Sequence, residues 1–436
     1  MLIEDLNAIM PCKLSGSVVR TEGLTAAVAG FPAPVGALVE IDRQTGGSIT
    51  GEVIGFRGDI TVIFPLGDIS GVRHGNRVRL TATSRVLRVG PQLLGRVIDA
   101  YGRPIDNQPR PFLPDRMPAT GRRPCAVDRP RIDVPLSTGI RAVDGLLTCG
   151  RGQRIGVFSG SGVGKSVSLG MMARYTAADI IVIGLIGERG REVNEFIERD
   201  LGPEGLARSV VVVATSDEPA LLRVQAAMTA TAIAEYFRDQ RRDVLLIMDS
   251  VTRFAMAQRE IGLALGEPPA TRGYPPSVFA MLPKLVERAG RSNTGSITAF
   301  YSVLVEGDDL NEPISDAVRG LLDGHTVLSR KLASQGHYPA IDVLSSISRV
   351  MPNIASPEVL AAATIIRQLL AAYRDHEDLI SIGAYRAGAN PLVDMALAMR
   401  EDINRYLRQA QNESASLQLA QVELIRLAQR CQTVKK

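Results

Sequence analysis

The sequence predicts an α/β fold in three parts: a small N-terminal β-barrel over residues 1–84, a central parallel sheet covered by helices over 85–350, and a helical C-terminal domain over 351–436. Three observations carry that reading. Residues 12–84 are dense in Val, Ile, Gly and Thr, in short runs separated by glycine turns. Between about 136 and 350, apolar strand-like runs alternate with helical segments, which is the pattern of a parallel sheet covered by helices. Beyond Pro357 the apolar residues step by three and four, the period of packed helices.

At the N-terminus, Leu2, Ile3, Leu6, Ile9 and Met10 share one face of a short helix, with Glu4 and Asp5 on the other. A partner-docking face and a frayed end both fit this leader. Its acidic side argues against direct attraction to anionic lipid. Residues 37–41, 51–55 and 61–64 then read as closely spaced short strands, the signature of a small barrel. The barrel's aromatics are only Phe31, Phe56 and Phe64, too few for a base-stacking surface, and no nucleic acid is expected as a partner. From residues 95–104 the chain enters a proline-rich connector, roughly 104–135, whose length without periodicity suggests an arm wrapped on the scaffold.

The central strands are expected at residues 179–186, 209–214, 244–248 and 296–301, each a nearly continuous apolar run, as in parallel strands buried on both faces. In the C-terminal part, Leu392, Ala396, Met399, Ile403 and Leu407 form one packing face, and Leu417, Ala420, Leu424, Leu427 and Cys431 a second.

Composition narrows the function. A net charge of +4, from 50 basic against 46 acidic residues, is no polybasic signature. Cys12, Cys125, Cys149 and Cys431 are scattered without metal-ligand spacing, and neither a signal peptide nor an apolar run of about 18 residues occurs. A cytoplasmic protein is expected, with any membrane contact peripheral.

The chemistry centres on residues 159–166, Ser-Gly-Ser-Gly-Val-Gly-Lys-Ser, entered from the apolar run 154–158. Gly160, Gly162 and Gly164, interleaved with Ser159, Ser161 and Val163, let backbone N–H groups turn inward around phosphate oxygens. The helix that continues through Val167 presents its positive dipole end to the same charge. Lys165 reaches the β- and γ-phosphates, and the Ser166 hydroxyl suits Mg²⁺. Ser159 departs from the strict pattern, which asks for glycine there. A glycine-rich turn without a nucleotide is the bland alternative; lysine is one of only six in the chain, and a second motif follows. Residues 244–249 end in Asp249, placed as a strand-end carboxylate that holds Mg²⁺ through water. Residues 187–191, Gly-Glu-Arg-Gly-Arg, offer Glu188 to orient and activate the attacking water and Arg189 to pair with a carboxylate or approach the γ-phosphate. A surface Glu–Arg pair fits the same residues.

Residues 159–166, 187–189, Asp249, Pro-Pro-Ser-Val-Phe at 275–279 and the segment 338–349 together resemble the F1/V1-type rotary ATPase superfamily over essentially the whole chain. Residues 33–40, 64–67, 305–314 and 382–386 are most similar to its type III export ATPases, the flagellar branch in particular. The resemblance implies a RecA-like central domain, ATP as substrate with Mg²⁺, and catalytic positions at Lys165, Ser166, Glu188 and Asp249. It further implies that Tyr338 stacks on adenine and that Arg349 is an arginine finger entering the neighbouring subunit's site. Implied partners are a stator-like regulatory protein, a central stalk protein touched by loop 266–276, a membrane export gate at the inner face of the cell membrane, and export substrates with their chaperones. Glu188 and Arg349 on one chain imply a head-to-tail homohexamer with complete sites at every interface. A passive surface role for loop 266–276, a virulence injectisome, an ion-translocating rotary ATPase, an RNA translocase and a scaffold without turnover are the alternatives.

Overall fold

The computed structural model describes residues 14–121, 129–305, 307 and 309–433. The expected leader face from Leu2 to Met10 lies outside the described residues, as do Cys12 and Cys125.

Six strands close the N-terminal barrel: β1 (Ser15–Glu22), β2 (Thr25–Ala29), β3 (Leu38–Asp42), β4 (Ser48–Arg57), β5 (Ile60–Pro65) and β6 (Arg77–Ala82), in the order β1-β2-β5-β4-β3-β6. Strand alternation turns Val18, Val28, Val39, Ile41, Ile63 and Val78 inward, where they pack with Phe31 into a core of their own. Closure removes the exposed strand edges a small open sheet would carry.

The connector carries one strand of its own, β9 (Asp115–Pro118), which pairs antiparallel with β7 (Val86–Val89); just ahead of it, β8 (Arg96–Ile98) joins the central sheet. Arg96 fixes that join through two hydrogen bonds to Asp106, at 2.6 and 2.9 Å, both side chains being nearly buried. The Arg96 guanidinium holds the Asp106 carboxyl down at about 2. Beyond it, Arg129 donates to the carbonyls of Ala289 and Glu287, so the arm lies against the central domain by named contacts.

After a short β10 (Pro135–Leu136) and β11 (Cys149–Gly150) pair, the main sheet is built from β12 (Arg154–Ser159), β13 (Ile180–Glu188), β14 (Ser209–Thr215), β15 (Asp243–Asp249), β17 (Ser296–Leu304), β18 (Gly324–Leu328) and β19 (Ile341–Ser348). A two-residue β16 (Gly290–Arg291) flanks β17. The order is β19-β18-β12-β17-β15-β13-β14-β8. Every main pairing is parallel except β18 with β19. The sheet is therefore parallel with one antiparallel edge, which the apolar runs did not announce. β13 is buried along eight of its nine residues, as its Ile-, Val- and Leu-rich run requires.

Three helices end the chain: Pro357–Ser381, Pro391–Leu407 and Leu417–Thr433. The first two begin with proline after a capping side chain, Ser356 accepting from Val359 N and Asn390 from Leu392 N. Ile366, Leu369, Met399, Ile403 and Leu424 pack against Val143 and Leu146 of the central domain in one continuous core. Leu392 departs from the expected face. It is 40% exposed, because the packed face begins one residue on, at Val393.

Candidate nucleotide site

Parallel strands deliver their C-terminal ends to one edge, and three of them bring the candidate residues there. β12 ends at Ser159 and turns through the glycine loop into the helix Lys165–Tyr175; β13 ends at Glu188; β15 ends at Asp249. In the sheet β17 separates β12 from β15, so the loop and the two carboxylates face one another across the same edge. Gly164 caps the helix in the left-handed region, φ 85°, which explains a glycine there. Gly187 is required twice over: its φ is 74°, and a Cβ would stand 2.9 Å from Arg253 Cβ.

The result is an open cleft of about 610 Å³ lined by Gly160, Ser161, Gly162, Gly164, Lys165, Ser166, Val167, Glu188 and Arg189, with Glu192, Arg253 and Gln411 among its other walls. Lys165 Nζ lies 2.5 Å from Asp249 Oδ1 and 3.5 Å from Glu188 Oε1. Burial opposes the lysine's charge, yet the two carboxylates outweigh it and raise its pKa. Burial first, and the Asp249 charge second, push the Glu188 carboxyl up to about 7. Glu188 Oε1 is buried and makes no hydrogen bond among the described residues; the charge it faces is Lys165 Nζ at 3.5 Å.

The remaining sequence candidates separate by position. Ser166 is exposed in the first helical turn. Val163 is buried, and Ser159 is buried with its hydroxyl unpartnered among the described residues; neither side chain lines the cleft. Arg189 stands at the rim, its side chain 80% exposed and 3.7 Å from Glu192, so the Glu–Arg pairing on the surface involves Glu192 and leaves Glu188 facing Lys165. Tyr338 reaches the loop from the far side: a Cβ on Gly164 would meet its ring at 3.4 Å. Its carbonyl accepts from Gln409 N at 3.0 Å, and Gln409 Nε2 in turn donates to Gly139 O, which ties the segment after the second C-terminal helix to this wall. Arg349 follows β19, antiparallel to β18, and so lies at the opposite edge of the sheet from the glycine loop.

The model of the ATP synthase alpha/beta family nucleotide-binding domain matches residues 139–348, and that of the same family's beta-barrel domain matches residues 13–82. A flagellum-specific ATP synthase of Bacillus subtilis is 50% identical over 419 residues, 96% of each chain. The chain belongs to the ATP synthase alpha/beta family, and it is an ATPase. Residues 355–426 match the T3SS EscN ATPase C-terminal domain, which places it in the family's export branch. A flagellum-specific ATP synthase of Pseudomonas aeruginosa is 52% identical, covering 95% of this chain and 93% of its own. A type 3 secretion system ATPase of Xanthomonas euvesicatoria is 50% identical over 90% and 89%. Among solved structures, the assembled ATPase EscN of enteropathogenic E. coli superposes with a TM-score of 0.90 at 46% identity, covering 95% of this chain and all of that one. The same ATPase in complex with its central stalk EscO gives 0.87.

Sequence reasoning passed over Arg253 and Gln411 as cleft residues of this family member. Arg253 packs on Gly187, lines the cleft and has its Nε buried without a hydrogen-bond partner among the described residues. The signal was present: it stands four residues after Asp249, in the first turn of the helix Val251–Ala264, whose Ser250 cap accepts from Arg253 N. Gln411 carried none, since only folding brings it beside Asp200, to which it donates at 3.1 Å.

Proposed function

We propose that this chain hydrolyses Mg²⁺-bound ATP in a head-to-tail homohexamer and so energises protein export through the flagellar type III apparatus. The observation that carries the chemistry is Lys165 held between Asp249 and Glu188 at the mouth of the glycine loop. Incoming phosphates offer Lys165 a denser negative charge than either carboxylate, and its release leaves Asp249 and Glu188 free for their own roles. The loop's N–H groups and the helix N-terminus bind the phosphates, Tyr338 stacks on adenine, and Arg253 balances charge at the γ-phosphate. The proposed role of Glu188 is to orient and deprotonate the attacking water.

The donor set fits Mg²⁺, which prefers hard oxygens and keeps several waters: the Ser166 hydroxyl and the Asp249 carboxylate stand at the phosphate end of the cleft, and no cage of three acidic, His or Cys side chains forms among the described residues. When bound, the ion would neutralise charge on the phosphate oxygens. Arg349 completes the neighbouring subunit's site in a ring of identical chains, which its place at the far sheet edge supports.

The flagellar assignment rests on relatives of that name at 49–52% identity. The injectisome is the second reading, carried by type 3 secretion system ATPases at 45–50%. The proposed setting is the cytoplasmic face of the membrane, with a stator-like protein, a central stalk, an export gate, substrates and chaperones as partners; no described helix is long and apolar enough to cross a membrane. Gentle crosslinking of the tagged chain in its own cells, followed by mass spectrometry, decides the machine. Recovery of flagellar gate, stator and stalk proteins supports the first reading, and injectisome components the second. Loss of ATP turnover in Glu188→Gln with nucleotide binding retained tests the chemistry.

A further inference from the structure

Gln153 is a polar side chain with no exposure at all, just ahead of the strand that leads into the glycine loop. Both sides of its amide are engaged. Its Oε1 accepts from Gly150 N at 2.9 Å, while its Nε2 donates to Asp323 O at 3.2 Å and to Ser348 Oγ at 3.1 Å. Asp323 O also accepts from Arg349 N at 3.0 Å, and Ser348 Oγ donates to Thr148 O at 2.9 Å. The Asp323 carboxylate is held by Arg154, through the backbone N at 3.1 Å, Nε at 3.0 Å and Nη2 at 3.1 Å. Gly324 permits the approach: a Cβ there would stand 2.6 Å from Ile347 O and 3.3 Å from Gln153 Nε2.

These bonds converge on one place, the end of β19 from which Arg349 projects. Arg349 is exposed, and its side chain has no partner among the described residues. No described residue therefore orders its guanidinium, and its position is set by how firmly its backbone is held. That backbone is tied to Asp323, and Asp323 is tied to Gln153 and Arg154 at the start of β12. A buried amide left unbonded is unfavourable, so a glutamine at this fully enclosed position needs the bonds it makes.

We propose that Gln153 is a positioning residue for the Arg349 finger: its amide clamps Ser348 and Asp323, fixing the end of β19 so that Arg349 enters the neighbouring site at the correct depth. The inference rests on the reading of Arg349 as a finger supplied in trans. It touches neither nucleotide nor reacting atoms, and acts only through Arg349. The strand β12 thereby serves two sites, carrying the phosphate loop for its own nucleotide at one end and holding the finger for the neighbour's at the other.

The test uses assembled rings of the full chain, steady-state turnover with a sensitive phosphate-release assay, and equilibrium binding of a fluorescent ATP analogue. Gln153→Met removes the clamp at similar volume. Expected is a fall in kcat of about ten-fold, with KM and analogue affinity held within about two-fold, since small misplacements of a charge-stabilising group act on the transition state. On an Arg349→Ala background the same substitution should cost nothing further. Ser348→Ala, which removes one acceptor of the same amide and is the milder change, should repeat the pattern at a few-fold and carries the test if Gln153→Met does not assemble. Equal losses on both backgrounds, a change confined to KM, or unchanged kcat while Arg349→Ala is impaired would each overturn the positioning role. Unchanged turnover in Arg349→Ala itself would remove the finger reading, a separate failure visible in the same experiment.

Discussion

Lys165 and Arg349 stand at opposite edges of one sheet, because β12 and β18 run parallel toward the phosphate loop while β19 returns antiparallel and carries Arg349 away from it. The eight residues of β19 span roughly 25 Å at about 3.3 Å each, far beyond the reach of an arginine side chain. Within one chain the two residues cannot meet at the same γ-phosphate. In the proposed head-to-tail ring, Arg349 of one subunit would reach the loop of the next, and the same two residue positions would serve one site from two chains.

Removing the finger should therefore stop chemistry and spare binding. Arg349→Ala is expected to lower kcat in assembled rings by roughly 10³-fold or more, the range known for trans fingers, with ATP-analogue affinity of the isolated subunit unchanged. Steady-state turnover beside analogue titration reads both quantities.

The Glu188 carboxyl, lifted to about 7 by burial and by Asp249, must lose its proton to accept one from water. The predicted kcat/KM then rises with pH through about 7 and levels off above it, reporting the free enzyme. In Glu188→Gln turnover should be nearly abolished and that inflection absent from the remainder. Stability runs the other way: with a folded-state pKa above the ordinary 4.5, this group favours the folded state less as pH climbs from 4.5 toward 7. A kcat/KM profile of the parent that is flat between pH 6 and 8 would remove Glu188 as the base.

Tyr338→Ala should raise KM for ATP by about ten-fold, corresponding to the ~1–3 kcal/mol of base–aromatic stacking, with little change in kcat. Tyr338→Phe should behave as the parent, since the ring rather than the hydroxyl faces the loop. A comparison of ATP with GTP in both variants checks that adenine is the group lost.

The buried pair Arg288–Glu235 is structural, with both side chains 2% exposed and two hydrogen bonds of 2.8 and 2.7 Å. Arg288→Met leaves Glu235 buried and unpaired and should destabilise the chain by about 3–5 kcal/mol, whereas changing both partners to apolar residues should cost much less. Urea unfolding of the single and double variants measures the difference.

The site was legible in sequence where local rules act on contiguous residues. Residues 159–166 announce a phosphate loop by glycine spacing, and β13 and β15 announce themselves by apolar runs at 179–186 and 244–248, with Glu188 just past the first and Asp249 at the end of the second. β18 and β19 hide, since His325, Thr326, Ser345, Ser346 and Ser348 dilute the apolar signal at a sheet edge that is buried on one side only. β7 and β8 hide as strands of only four and three residues and β9 lies inside the proline-rich stretch, with β8 held by a partner, Asp106, that no periodicity marks. Tyr338 and Arg349 were named through family resemblance alone: a tyrosine before proline and one arginine among many carry no local signature of their chemistry. Arg253 could have been found from its spacing to Asp249; Gln411 could not, because its neighbours come from distant parts of the chain.

The most direct test of a site shared between identical subunits is complementation. Lys165→Ala keeps the finger and loses the loop; Arg349→Ala keeps the loop and loses the finger. Each is expected to be inactive alone. Mixed in equal amounts and assembled together, they place an intact loop against an intact finger at about one interface in four, so turnover should recover to roughly a quarter of the parent's. Activity of the mixture no greater than the sum of the two separate variants would contradict a finger supplied in trans.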